Sequence, residues 1–177
     1  MRVLKRFAEL PATPWANGGG ATTELVAFDE SERVGGPGAR WRLSIADLEQ
    51  PGTFSPLPGM RRTFVPVGGA VMLSVDDEQR ECAECRPFHF EGDARTELVA
   101  LTGRCHAVNL MVDETSDWCP RLSPDRSGDV IAAIALDDGD GWHRFDLLTE
   151  DADIPSALFV VRGGAPGDVR GGGDGAE

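Results

Sequence analysis

The residues best placed to do chemistry begin with Pro14-Trp15-Ala16-Asn17-Gly18-Gly19-Gly20, which run into the β-prone Ala21-Thr22-Thr23-Glu24-Leu25. Three successive glycines carry a large conformational-entropy cost, so they belong where the backbone turns tightly or must approach something closely. If their N–H groups converge, Gly18, Gly19 and Gly20 form a concave nest for a small anion. Otherwise the run is a glycine-rich hairpin loop with Trp15 packed beside it. It is neither a P-loop nor a dinucleotide fingerprint: no lysine follows Gly20, Thr23 stands where a third small residue is needed, and a strand follows where both require a helix.

A second group lies on predicted strands. Trp41, Leu43 and Ile45 alternate with Arg42, Ser44 and Ala46, so Arg42 and Ser44 share one face. Thr22 and Glu24 share a face of their own strand. Arg62 begins the strand after a Pro-Gly turn, and Asn109 sits mid-strand among apolar neighbours. Arginine, serine and asparagine aimed into a β-protein interior need partners. A bound carboxylate would supply one, since the guanidinium fork matches it bidentately. The internal alternative is that Arg42 pairs with Glu24 and ties two strands together.

Other chemistries find less support. His89, His106 and His143 include no His-x-His pair, and His89 with its neighbouring carboxylate makes a weak metal site. Cys82-Ala83-Glu84-Cys85 has zinc or redox spacing, but Cys105 and Cys119 do not form the second knuckle of a four-thiolate site. The cysteines are expected to be incidental reduced thiols. Ser44, Ser55 and Ser74 lack a nucleophile elbow. No catalytic residue, metal or cofactor is expected.

Composition narrows the partners. The 177 residues suit one domain or two small barrels sharing a core. A net charge of −13 argues against nucleic acid and anionic membranes. Any anionic ligand must be held by a local arginine site against that field, because Lys5 is the sole lysine. The N-terminus lacks the apolar core of a signal peptide and no run reaches membrane-spanning length, which points to the cytoplasm.

The elements that must position these residues are short strands. They are expected at Val3–Leu10, Thr22–Phe28, Trp41–Ala46, Arg62–Val67, Ala70–Val75, Phe88–Phe90, Glu97–Thr102, Cys105–Val112, Val130–Leu136, Trp142–Leu148 and Ala157–Arg162. The fourth and fifth read as a hairpin joined at Gly68-Gly69, with Pro66 restricting the first to an edge, strand end or bulge. Asp29–Arg40, Asp76–Glu84 and Glu114–Asp129 read as loops, and no long amphipathic helix is visible. This rhythm predicts an all-β barrel or sandwich. Gly163–Glu177 is too poor in apolar residues to order itself and reads as a disordered tail.

These blocks resemble the HutD/Ves family. The opening run is similar to its Trp-x-Asn-Gly-x-Gly-x-Thr-x-Glu block, and Trp41-Arg42-Leu43-Ser44-Ile45-Ala46 to its Trp-Arg-x-Ser-x-Ala strand. Phe54-Ser55-Pro56-Leu57-Pro58-Gly59-Met60-Arg61-Arg62 and Pro87-Phe88-His89-Phe90-Glu91-Gly92-Asp93 resemble its next two blocks. The last, Ala107-Val108-Asn109-Leu110-Met111-Val112-Asp113, departs from the family's Asp-Phe-Asn-x-Met followed by an arginine, losing that acid and gaining Asp113.

The resemblance implies a double (bicupin) RmlC-like jelly-roll β-barrel over residues 1–162. It also implies a cytoplasmic bacterial protein associated with histidine utilisation that binds a small organic acid such as formate or N-formylglutamate. On this reading Arg42 and Arg62 hold the anion. Asn17, Ser44, Asn109 and the Gly18–Gly20 backbone surround it, Trp15 walls it, and Glu24 orients an arginine or accepts from the ligand. A homodimer is compatible with the sequence. The alternatives are an enzyme of small acids or sugars using Glu24 as general base, and an interaction module with a vestigial cavity.

Overall fold

The computed structural model describes residues 1–163. The tail expected over 163–177 lies outside the described residues, apart from Gly163. The strands are β1 (Val3–Lys5), β2 (Ala12–Pro14), β3 (Gly20–Val26), β4 (Trp41–Leu48) and β5 (Gly52–Thr53). Next come β6 (Met60–Val67), β7 (Val71–Val75), β8 (Glu78–Cys82), β9 (Phe88–Glu91) and β10 (Thr96–Leu101). The last are β11 (Cys105–Asp113), β12 (Arg121–Ser123), β13 (Val130–Ala135), β14 (Leu147–Thr149) and β15 (Ala157–Val161). Helix among the described residues is confined to short turns at Phe7–Glu9, Phe28–Glu30 and Ser31–Gly35. Among the described residues no helix is long and apolar enough to cross a membrane.

Three sheets result: a six-stranded one in the order β2-β3-β4-β11-β6-β9, a five-stranded one, β1-β14-β13-β15-β12, and a four-stranded one, β5-β10-β7-β8. All pairings within them are antiparallel. None closes on itself through hydrogen bonds. The protein is all-β.

The six-stranded sheet is central because alternation gives it two different packed faces. Trp41, Leu43 and Ile45 of β4 join Val108 and Leu110 of β11 and Val65 of β6 against Ile134, Leu147, Leu158 and Val160 of the five-stranded sheet. Burying each such side chain contributes about 1.5–3 kcal/mol. On the opposite face Ala46, Leu48, Phe64 and Ala107 pack on Leu73 and Leu98 of the four-stranded sheet. The other positions of that face include Arg42, Ser44, Arg62, Asn109 and Met111. The chain thus spends an apolar half-face on holding two sheets together and leaves the polar half for a site.

Asp146, which is 1% exposed, ties the segment after β1 to the start of β14. Its carboxylate accepts from Arg6 Nη1 at 2.8 Å and from the backbone N–H groups of Phe7 and His143 at 2.9 and 3.0 Å. These contacts set β1 beside β14.

Several expectations need correction. β6 and β7 form no hairpin: β6 pairs with β11 and β9, β7 with β10 and β8. Both edges of β6 are taken, and Gly68, at φ +90°, turns the chain into another sheet. Pro66 costs the ladder little, because β9 pairs only as far as Phe64. The acidic segment after β7 contains strand β8, exposed on four of its five residues. Asp76 and Asp77, both at positive φ, make the two-residue turn that closes this β7–β8 hairpin. The strand expected at Trp142–Leu148 begins only at Leu147, as β14, and Phe145 before it takes φ +69°.

Candidate functional site

A cavity of about 760 Å³ lies over the polar half-face. Its floor is set by strand register. Asn109 of β11 stands opposite Ser44 of β4, which stands opposite Glu24 of β3. One pleat along, Met111 stands between Arg42 of β4 and Arg62 of β6. The walls come from Trp15 and Asn17 of the opening hairpin and from Phe54, Ser55 and Leu57 of the proline-rich segment after β5.

Arg62 is the unusual group. It is 8% exposed, and its guanidinium lies between the rings of Phe54 and Phe90, 5.2 and 5.1 Å from their centroids. Its hydrogen bonding amounts to a long 3.5 Å contact from Nη1 to the Ser55 carbonyl, and Nε has no partner. Among the described residues no carboxylate pairs with it. Burial, and then the positive charge of Arg42, push its pKa down to about 10. The side chain still holds its proton at neutral pH, so a cation sits buried without a counter-ion.

Arg42 is better supplied. Its Nε lies against Glu24 Oε2 as an ion pair, although the approach lacks the alignment of a hydrogen bond. The internal pairing weighed from the sequence is therefore present, yet both residues face the cavity. Asn109 is 5% exposed, donates weakly to the Ala107 carbonyl at 3.4 Å and leaves Oδ1 without a donor. Trp15 donates from Nε1 to Thr22 Oγ1 at 2.8 Å and meets Phe54 edge-on at 6.3 Å.

Seven of the ten residues singled out from the sequence line this cavity: Trp15, Asn17, Glu24, Arg42, Ser44, Arg62 and Asn109. Gly18, Gly19 and Gly20 do not. They turn the β2–β3 hairpin, where Gly18 N–H donates to the Trp15 carbonyl at 3.0 Å and Gly19 N–H to Asn17 Oδ1 at 2.9 Å. Those two donors are spent inside the turn. Gly20 serves close approach, since a Cβ there would stand 1.9 Å from the Asp47 carbonyl oxygen.

Nothing in the sequence marked Phe54, Leu57, Phe90 and Met111 as belonging to the site. Phe90 reaches Arg62 because β9 pairs with β6 in the register Arg62–Phe90. The Phe-His-Phe alternation showed that Phe88 and Phe90 share a face, but not which strand that face would meet. His89 points away, bonding Thr63 Oγ1 through Nδ1 at 2.9 Å. Burial, then Arg121, lower its pKa. Cys82 and Cys105 lie in the core beneath the four-stranded sheet and Cys119 in the core beneath the five-stranded one. No group of three or more His, Cys, Asp or Glu among the described residues is placed to hold a metal ion.

Comparison with known proteins agrees with this architecture. The family model HutD matches residues 7–123. An uncharacterised 21.2 kDa protein from the hutC 3′ region of Pseudomonas putida is 36% identical over 110 residues, 61% of this chain and 56% of that protein. Protein Ves of Citrobacter koseri is 31% identical over 113 residues, 63% of this chain and 56% of that protein. The chain thus spans about half the length of the curated relatives it matches. The structure of HutD from Pseudomonas fluorescens SBW25, recorded in a formate condition, superposes with a TM-score of 0.63 at 28% identity. That match covers 89% of this chain and 92% of the other. The HutD model takes in the cavity-forming strands β2 to β11 whole, and on that ground the chain belongs to the HutD family.

Proposed function

We propose that this protein binds a small carboxylate, formate or an N-formyl amino acid, in the cavity between Arg62 and the opening hairpin. It would act as a metal-free cytoplasmic sensor or accessory factor in histidine utilisation. The observation that carries this reading is Arg62, a buried cation that faces a cavity and has no acid of its own. A ligand carboxylate would supply the missing charge and two acceptors for the guanidinium edge. A donor on the ligand would satisfy Asn109 Oδ1. The hutC-region relative supports the link to histidine utilisation. The same reading takes the fold as a bicupin, with the central sheet lending one face to each of two barrels.

The test is calorimetric titration of wild type and Arg62→Gln with formate, N-formylglutamate, urocanate and histidine, each sample also being assayed for product. Saturable binding of a carboxylate by wild type, lost in a variant that still melts cooperatively, is the expected result. Absence of binding to all four overturns the assignment. Turnover would shift it to an enzyme using Glu24 as general base.

A further inference from the structure

The charge inventory of the cavity is short. Its ionisable lining residues are Arg42, Arg62 and Glu24, two cations against one anion. The remaining lining is neutral, and much of it apolar: Trp15, Phe54, Leu57 and Met111. The cavity therefore carries one net positive charge in a chain whose net charge is −13. One anionic group neutralises it. A second anionic group would have to share Arg42 with Glu24, inside a strongly negative protein.

Position separates the two arginines. Among the described residues Arg62 has aromatic faces and one long backbone-carbonyl contact but no acid, so it receives the first carboxylate. Arg42 already touches Glu24 through Nε, so a second ligand carboxylate reaching its terminal nitrogens would lie beside the Glu24 carboxylate. Glu24 thus competes with the ligand for the second cation.

We propose that Glu24 is the specificity-determining residue of this site and selects monoanionic over dianionic ligands. The inference rests on the anion-binding reading above and narrows it: between formylated amino acids, the site takes the one with a single carboxylate. At separations of a few ångströms in a partly desolvated cavity, one like charge is enough to change affinity by about tenfold or more.

The matched probes are N-formylglutamine and N-formylglutamate, which have the same shape and differ in the charge of the side-chain end. Each is titrated into wild type, Glu24→Gln, Glu24→Asp and Arg62→Gln, with melting curves confirming that each variant folds. Wild type should prefer N-formylglutamine by about tenfold or more. Glu24→Gln should bring that ratio close to one or invert it, chiefly by tightening N-formylglutamate, while Glu24→Asp keeps the charge and the preference. An unchanged ratio in Glu24→Gln, or a wild type that prefers the dianion, overturns the proposal while Arg62-dependent binding stands. If wild type binds neither probe, or Arg62→Gln binds both as wild type does, the anion reading fails and this inference with it.

Discussion

Arg42 and Arg62 flank the same residue, Met111 on the strand between them, and only Arg42 has an acid beside it. This asymmetry is the central fact of the site. Two guanidinium groups on one pleat repel each other, and Arg62 bears the larger share because it is the more deeply buried. The cost is visible in its pKa of about 10, lowered first by burial and then by Arg42. It corresponds to about 3 kcal/mol taken from the ligand-free fold.

Replacing the buried cation by an apolar residue of similar length should therefore stabilise the ligand-free protein. Arg62→Met is expected to raise unfolding free energy by about 1–3 kcal/mol in urea. The same variant should show no rise in melting temperature with added formate or N-formylglutamate, whereas wild type should rise with ligand concentration. A destabilised Arg62→Met would mean that stacking between Phe54 and Phe90 outweighs desolvation.

Gly20 links the opening hairpin to the cavity. An alanine Cβ there would collide with the Asp47 carbonyl and also stand 3.4 Å from Trp15. Gly20→Ala should push β3 away from β4 at the end where Trp15 and Asn17 enter the wall. The expected loss is about 1–3 kcal/mol of stability, with ligand affinity reduced at least tenfold. Gly18→Ala, where a Cβ meets nothing within 4 Å but φ is +69°, should cost about 1 kcal/mol and leave affinity close to wild type. Equal affinity losses in both variants would remove the steric explanation.

Acidification should destabilise the fold before any carboxylate titrates. Burial lowers the pKa of His106 in spite of the opposing pull of Asp47, and Arg144 and Arg104 add to the lowering. His89 shifts the same way. Below about pH 6.5 the unfolded chain binds these protons more readily than the native one, so stability is complete above that value and falls as pH drops towards the folded pKa. Thermal midpoints should decline from pH 7 to 5.5, and His106→Gln should flatten the decline. The depressed pKa of Asp47, held down chiefly by Arg104, acts only at lower pH. A slope identical in wild type and His106→Gln would assign the effect elsewhere.

The strands that carry the site were legible because alternation is local. Trp41, Leu43 and Ile45 against Arg42, Ser44 and Ala46 can sit only on opposite faces, and both faces are used as that pattern requires. The β6–β7 hairpin failed for the opposite reason. Two glycines between two β-prone runs look the same whether the chain folds back on itself or crosses to another sheet. That choice depends on β9 and β11, which take both edges of β6 from far along the chain.

By itself the sequence determined the all-β class, the polar face of β4, the presence of arginine, serine and asparagine within strands, and family membership. These depend on residue type and on a period of two. Tertiary structure alone decided that Met111 stands between two arginines, that Glu24 spends itself on Arg42, and that Phe54 and Phe90 close over Arg62. It also turned the three glycines from anion donors into a tight turn against Asp47. Long-range register and burial set these relations, and neither is encoded within any short stretch of chain.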